Sequence, residues 1–435
     1  MTGLSKRNIL LVGLTLFSMF FGAGNLIFPP FLGALAGTNT WIAMAGFAVT
    51  AIGFPVLGVI AVARSGGLMN LAGRVHPKFA FVFTMLIYLS IGPCLAIPRT
   101  ASTSFEMTVI PFLGDRFSAG ASQLVYSAVF FTIAYLVSLK PDKLTERLGK
   151  VLTPCLLTLI VLVFIGCIVK PAGGYGAPSE TYASNPFIKG FLEGYLTMDT
   201  MAALNFGIII SLNIRTLGVS EESAVVKDTI KAGLVAGCVL FLVYSSMAHV
   251  GAVTGGTFGA GDNGAQTLNQ IVRFLYGKLG MVMLAAIFFI ACLNTCIGLI
   301  SSCSKYFNTT FPRISYRLWA FIFAAVSLVI SNVGLNKILE ISVPILNAIY
   351  PAAIVLIILA FVFKDGVRWK MLYRSTILLT GIVSVALSLE QVGITGLHTV
   401  LSSLPFYEVS LGWIGPAALG LLIGLVLSFI AGKIN

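Results

Sequence analysis

FGAGNLIFPP (21–30) and GYLTMDTMAALNFG (194–207) decide how this sequence folds. Each lies roughly a dozen residues into a long apolar run, 9–33 and 187–213, and neither has the composition of a plain membrane helix. The first sets Phe21-Gly22-Ala23-Gly24-Asn25 ahead of Pro29-Pro30, and the second sets Thr197-Met198-Asp199-Thr200 after Gly190 and Gly194. Inside a bilayer, backbone polar groups released from a helix persist only where protein or a polar cavity satisfies them. Two interrupted segments at corresponding places in two halves of a chain point to a transport site between inverted repeats. Half-helix N-termini then offer N–H groups to an anionic group, and freed carbonyls suit a cation. Glycine is also common in membrane helices, so Gly22-Ala23-Gly24 alone can equally form a small-residue packing face. Asn25, the two prolines and the second break weigh against that simpler role.

The surrounding chain is strongly apolar. Of its 435 residues, 57% are hydrophobic and 10% charged, with a mean hydropathy of +0.98. A soluble domain carries about 25% charged residues, so this chain needs lipid as its solvent. Runs of about 20 apolar residues cross the hydrocarbon core. Twelve are predicted near 9–33, 41–63, 78–107, 121–139, 148–170, 187–213, 229–254, 281–304, 317–331, 336–363, 373–390 and 411–431. The expected fold class is an all-α polytopic membrane protein of about twelve transmembrane helices in a single membrane domain, 1–435. Its halves would be 9–170 and 187–363, of about five spans each, with two more helices in 373–431. Lys6, Arg7 and Ala34-Leu35-Ala36 imitate a signal peptide, but the apolar stretch between them is too long for one, and an uncleaved first helix is expected. The longest polar connection, near 255–280, leaves no room for a soluble catalytic domain. No GxxxxGK[ST] occurs, which argues against an ATP-driven pump.

The net charge of +12 is spread between the apolar runs rather than gathered in a nucleic-acid-binding patch. With a cytoplasmic N-terminus, 20 Lys and Arg fall in inside loops and 6 outside (Arg116, Lys170, Lys189, Arg273, Lys278 and Lys337), and Arg99 stays within a span. That asymmetry predicts an even number of crossings with both termini cytoplasmic; the expected location is the bacterial plasma (inner) membrane, as a multi-pass protein. The seven cysteines lie in or beside apolar runs and are expected to be free thiols.

Few groups at membrane depth carry chemistry. Asp199 stands mid-span, where an aspartate costs roughly 2.5–3.5 kcal/mol. Such residues face the protein interior or mark an ion or substrate path. Asp199 would hold an ammonium group or tune a cation site; the plainer role is a carboxylate bonded to nearby backbone N–H groups. Arg99 and Glu106 share a face of the third span two turns apart, to pair with other groups or to form a gate. Gly92 and Ala96 on that span, with Met198, Met201 and Phe206 on the sixth, are candidate walls of an apolar pocket. Ala291-Cys292-Leu293-Asn294-Thr295 offers hard, neutral oxygens suited to a small cation such as sodium, although a membrane threonine usually bonds its own i−4 carbonyl. No HExxH, zinc-spaced Cys/His cluster or GxSxG occurs. A membrane-embedded enzyme would have only Asp199 with Glu106 or Glu193 to work with, and a channel would be expected to show rings of polar residues.

FGAGNLIFPP (21–30), GPCLAIPRTASTSFE (92–106), GYLTMDTMAALNFG (194–207), ACLNTCIGL (291–299) and SVPILNAIYP (342–351) run in order along essentially the whole chain. Together they resemble the branched-chain amino acid:cation symporter family, the system II carrier proteins. The resemblance implies a leucine-transporter-like fold of the amino acid–polyamine–organocation superfamily: a five-plus-five inverted repeat plus two C-terminal helices. It implies uptake of leucine, isoleucine and valine with Na+, or with protons, by alternating access. No cofactor beyond the coupling ion and no obligate protein partner is implied. In such a site Ala23 and Gly24, between Gly22 and Asn25, would present N–H groups to the substrate carboxylate. Carbonyls near Phe20 and the Thr197–Asp199 turn, followed by Thr200, would meet the amine. Carbonyls of Ser18, Phe21 and Ala291 with side chains of Asn294 and Thr295 would hold Na+. Asn25 matches a ligand of a second sodium, or else caps the second half-helix. A carrier of another small amino acid or of a nucleobase remains an alternative on the same fold.

Overall fold

The computed structural model describes residues 3–114, 118–139, 141–363, 366 and 368–434, and these form helices joined by short turns, with no strand among them. In chain order they are α1 (Lys6–Phe20), α2 (Ala23–Ala36), α3 (Thr40–Ala48), α4 (Phe54–Ser65), α5 (Leu68–Gly73), α6 (Pro77–Leu89), α7 (Ala96–Thr108), α8 (Ala119–Ser138) and α9 (Pro141–Val169). There follow α10 (Glu180–Ser184), α11 (Pro186–Glu193), α12 (Asp199–Thr216), α13 (Glu222–Phe258), α14 (Gly264–Thr310), α15 (Tyr316–Ser331), α16 (Leu335–Val362), α17 (Lys370–Gln391), α18 (His398–Leu401) and α19 (Ile414–Ile434).

Seven helical stretches among the described residues are long and apolar enough to span a membrane. An eighth is the pair Pro186–Thr197 and Asp199–Thr216, bent by 50°. Thr153–Val169, Tyr316–Ser331 and Ile414–Ile430 are shorter apolar helices. The stretch Gly24–Ser65 turns at Gly37 (φ 49°), so it carries the second half of the first expected span and all of the second. Each of the twelve expected runs therefore falls mainly on helix, the first and sixth in two pieces. The connection expected near 255–280 is mostly helical: α13 continues to Phe258 and α14 begins at Gly264, bending at Gly277 (φ 60°). Of the loop cations behind the expected orientation, Arg116, Lys140 and Lys364 lie outside the described residues.

Leu124, Val125, Val129 and Leu136 on α8 and Val161, Ile165, Ile168 and Val169 on α9 are exposed. In water such stripes would be a liability; against lipid they are the expected outer surface. Inside, helices approach through small residues. A Cβ on Gly33 would lie 2.0 Å from the Ala248 carbonyl, and one on Gly251 would lie 2.0 Å from that of Pro30, so α2 and α13 cross backbone to backbone. Gly46 and Gly190 make the same kind of crossing between α3 and α11, each Cβ position being 1.9 Å from a carbonyl of the other helix. These two crossings seat the broken first and sixth spans in the middle of the bundle.

Candidate substrate and cation site

The first break lies between α1 and α2, where Phe21 (φ −77°, ψ 93°) and Gly22 (φ −111°, ψ −177°) run extended. The Gly22 N–H turns away from the helix and donates to Asn25 Oδ1 at 3.2 Å. The last carbonyls of α1 therefore lack the amides that would continue the helix. Pro29 and Pro30 likewise supply no N–H for the carbonyls of Asn25 and Leu26.

The second break lies between α11 and α12. Gly194–Thr197 form one 3-10 turn, and Met198 then adopts a left-handed conformation (φ 60°, ψ 12°). For a residue with a Cβ this costs about 1–2 kcal/mol. Such strain persists only where the surroundings enforce it. Gly194 is one enforcer: a Cβ there would fall 2.0 Å from Thr50 Oγ1. Thr50, in a π turn between α3 and α4, donates to the Phe191 carbonyl at 2.7 Å and accepts the Thr200 hydroxyl on its own carbonyl at 3.1 Å.

One hydrogen-bonded group ties the breaks together. Asn25 Nδ2 donates to Asp199 Oδ2 at 2.6 Å and also to the hydroxyl of Tyr244 on α13. Tyr244 in turn donates to Asp199 Oδ2 at 3.2 Å. All three residues are buried. The plainer expectation for Asp199, a carboxylate satisfied by backbone N–H groups, is thus corrected: its Oδ2 is held by two side chains from other spans.

Around this group lies a cavity of about 80 Å3, room for roughly half a dozen water-sized groups. Phe20, Gly22, Gly24, Asn25, Thr197, Met198, Asp199, Ala96, Arg99, Phe206 and Thr295 all line it, and all were singled out in the sequence. Ala23 opens α2, and its side chain lies outside the described residues. Phe20 and Phe206 bring their rings to 6.0 Å at one end. Arg99 is buried and donates from Nη1 to the Leu196 carbonyl at 2.5 Å, while its guanidinium carbon stands 5.5 Å from the centre of the Phe28 ring. It thereby touches the second break and the body of α2. One bond uses one of its five N–H donors.

The candidate sodium ligands divide. The Ser18 hydroxyl is engaged with Thr153 Oγ1 on α9 at 2.7 Å, so only its carbonyl is left for an ion. Phe21 stacks on Phe17 at 4.9 Å, and Ala291 is buried. Asn294 Oδ1 is buried and has no hydrogen-bond partner among the described residues. Thr229, Thr254, Thr376 and Thr380 bond the carbonyl four residues back. Thr295 shows no such bond among the described residues, and a Cβ on Gly22 would stand 3.7 Å from its Oγ1.

Four residues lie elsewhere than expected. Gly92 does not line the cavity. It sits in a π turn, Ser90–Cys94, with non-helical angles (φ −94°, ψ −129°), and a Cβ on it would meet Cys303 Sγ at 2.9 Å. Met201 is buried away from the cavity, where Ala202 takes its place. Thr200 is buried against Thr50. Glu106 lies beyond the cavity, its carbonyl accepting from Asn269 at 3.1 Å. The break at Ser90–Cys94 was signalled by Gly92-Pro93, and the cavity residues Thr100 and Thr103 by the hydroxyl-rich text of α7. Tyr244 had no signal beyond being a polar tip in an apolar run.

The chain is similar to known proteins in sequence and in fold. The sequence profile described as Branched-chain amino acid transport protein matches residues 5–431. The chain is 40% identical to the branched-chain amino acid permease BraB of Bacillus subtilis over 99% of this chain and 97% of that one. It is 38% identical to the branched-chain amino acid transport system 2 carrier protein of Pseudomonas aeruginosa over 100% and 99%. In structure it is similar to the inward-facing conformation of Mhp1, with a TM-score of 0.61 at 15% identity, covering 98% of this chain and 91% of that one. That likeness is one of fold, the leucine-transporter-like arrangement expected above.

Proposed function

Because the chain belongs to the branched-chain amino acid transport protein family, whose members are named permeases rather than enzymes, we propose that it imports leucine, isoleucine and valine with Na+ by alternating access between its two broken helices. The observation that carries this reading is the Asn25–Asp199 bond of 2.6 Å, which joins the two breaks at the wall of a shared cavity. The N-terminus of α2 at Ala23 and Gly24 supplies amides and a positive dipole end for the substrate carboxylate. Arg99 supplies further donors on the same side. Carbonyls at Phe20 and Thr197, with the Asp199 carboxylate, receive the ammonium. Ile91, Ala96, Met198 and Phe206 take the branched side chain. An apolar pocket separates one methylene by about 1–3 kcal/mol, so all three substrates compete.

Carbonyls of Ser18, Phe21 and Ala291 with Asn294 and Thr295 hold Na+. Asn294 Oδ1, without a partner among the described residues, and Thr295 at the cavity wall support that assignment. Both ligands then use the same unwound turn, so each pre-orders it for the other. One positive charge moving inward across 100 mV releases about 2.3 kcal/mol, or roughly fortyfold accumulation at 1.4 kcal/mol per tenfold. The breaks fall in the first spans of two five-span repeats, 9–170 and 187–363, and both termini lie in the cytoplasm of a bacterial cell.

The test is radiolabelled leucine uptake into proteoliposomes under an imposed sodium or proton gradient, applied separately, with amino acids and nucleobases as competitors. Accumulation driven by sodium, with isoleucine and valine competing, is expected. Accumulation driven by protons alone would displace sodium from the reading, and competition by nucleobases alone would displace the substrate.

A further inference from the structure

A second hollow, of about 350 Å3, lies between α16, α17 and the segment 391–413 that leads into α19. Its size falls in the range of small-ligand sites. It sits at the end of α17 farther along the chain, on the membrane face opposite the N-terminus, which the Lys and Arg asymmetry makes the external face.

The lining is acidic and aromatic: Glu390, Glu408, Tyr407 and Trp413 stand over Leu387 and Pro351, with no Lys or Arg among the lining residues. Glu390 is the deeper carboxylate, its side chain 11% exposed. Tyr407 donates to its Oε1 at 2.9 Å, and His398 Nδ1 lies 2.5 Å from the same oxygen. Among the described residues Oε2 has no partner. The Asn347 amide donates to Gln391 Oε1 at 3.1 Å and pins α16 to α17 at the rim.

Two features make this more than a surface dent. Only three non-glycine residues among those described have positive φ: Met198 at the central break, and Phe406 (64°) and Ser410 (59°) on either side of the turn that carries Tyr407 and Glu408. A chain that stores strain in these two places is holding side chains at a set position in both. The floor of the hollow is Tyr195, whose carbonyl accepts the Met198 N–H at 3.0 Å. Its buried hydroxyl has no partner among the described residues. The hollow thus ends on the turn that shapes the second break.

A carboxylate with an unused oxygen, two aromatic rings and an aliphatic wall recognise a cation with a hydrocarbon tail. With no lining Lys or Arg, the hollow offers a ligand carboxylate no cation to pair with. We propose that this hollow is an external binding site for aliphatic ammonium compounds, the ammonium on Glu390 and Glu408 and the alkyl chain on Leu387, Pro351 and Trp413. A monoamine is its natural occupant. A branched-chain amino acid carries the same ammonium and tail, and binds there only if its carboxylate stays in water.

The experiment is direct binding of radiolabelled isopentylamine to the full chain in nanodiscs, which needs no transport. Saturable binding is expected, weakened about tenfold or more by Glu390→Gln, as befits loss of a hydrogen bond to a charged group, and less by Glu390→Asp. Leu387→Trp, which fills the hollow without touching its charge, removes binding as well and serves if Glu390→Gln fails to fold. Excess leucine that displaces the amine from the parent identifies the amino acid as a second occupant; leucine that does not displace it leaves the amine alone. Binding that never saturates, or equal affinity in the parent, Glu390→Gln and Leu387→Trp, overturns the site. Leucine uptake by the same preparation is scored separately, so its absence would count against the transport reading and not against this one.

Discussion

Tyr244→Phe tests whether the two breaks act as one unit. Tyr244 is fully buried and packs edge-on against Phe47 at 5.6 Å and 76°, a contact that phenylalanine keeps. Only the hydroxyl is lost, and with it a bond to the Asp199 carboxylate and the acceptor for one Asn25 N–H. A hydrogen bond to a charged group is worth about 1.5–3 kcal/mol, and a stranded buried N–H costs about 1–3 kcal/mol. The two overlap, because Asn25 keeps its bond to Asp199, so a combined cost of about 2–3 kcal/mol is expected. At 1.4 kcal/mol per tenfold, that is roughly a 30- to 140-fold loss of leucine kcat/KM. Initial uptake rates in proteoliposomes under a sodium gradient, normalised to inserted protein, measure it. Uptake within twofold of the parent with an unchanged sodium activation curve would refute the reasoning. A fall in melting temperature alone would do so too, since it would make the trio a brace and not a coupling element.

Asp199→Asn keeps an oxygen for Asn25 but removes the charge; transport should fall at least about a hundredfold, with normal protein levels in the membrane by immunoblot. Thr295→Ala should raise the sodium concentration for half-activation about tenfold, or about 1.4 kcal/mol for one lost oxygen ligand, while leucine competition curves barely move; identical sodium curves would remove Thr295 from the ion site. Gly251→Ala puts a methyl 2.0 Å from the Pro30 carbonyl and should cost about 3 kcal/mol by overpacking, read as a lower melting temperature in detergent.

The spans were legible because lipid imposes a coarse rule, some twenty apolar residues per crossing. The breaks were legible because glycine, asparagine, aspartate and proline stand out in such text. Finer placement failed where a local irregularity rotated the chain. Gly92 is four residues before Ala96 and would share its face on a straight helix; the π turn at Ser90–Cys94 swings it onto Cys303 instead. Arg99 and Glu106 do share a face, yet roughly 10 Å of helix separates them. The cavity uses Ala96, Arg99, Thr100 and Thr103 and ends there. Tyr244 was illegible for another reason. It lies 219 residues from Asn25 and 45 from Asp199, and only the packing of α13 against the broken spans brings it in.

On the proposed function, the two half-helices also imply which way round a zwitterion would sit. Two half-helices begin at the cavity, and each N-terminus attracts negative charge. The first turn of α12 already contains an acid, Asp199, whereas the first turn of α2 contains none. Arg99 adds its donors at Gly24, where a Cβ would lie 3.1 Å from Nη2. On that function a substrate carboxylate would sit on α2, and its ammonium toward Asp199. It follows that Asp199→Asn should change more than the rate. With the acid neutralised, the ammonium loses its partner while the carboxylate keeps all of its own. In equilibrium binding to purified protein, leucine should weaken by about 1.5–3 kcal/mol, the value of a hydrogen bond to a charged group. The affinity of 4-methylpentanoate, which is leucine without its amine, should hold or rise as a repelling charge is removed. Parallel losses for both compounds would mean that Asp199 shapes the cavity without reading the amine, and the assigned polarity would fail.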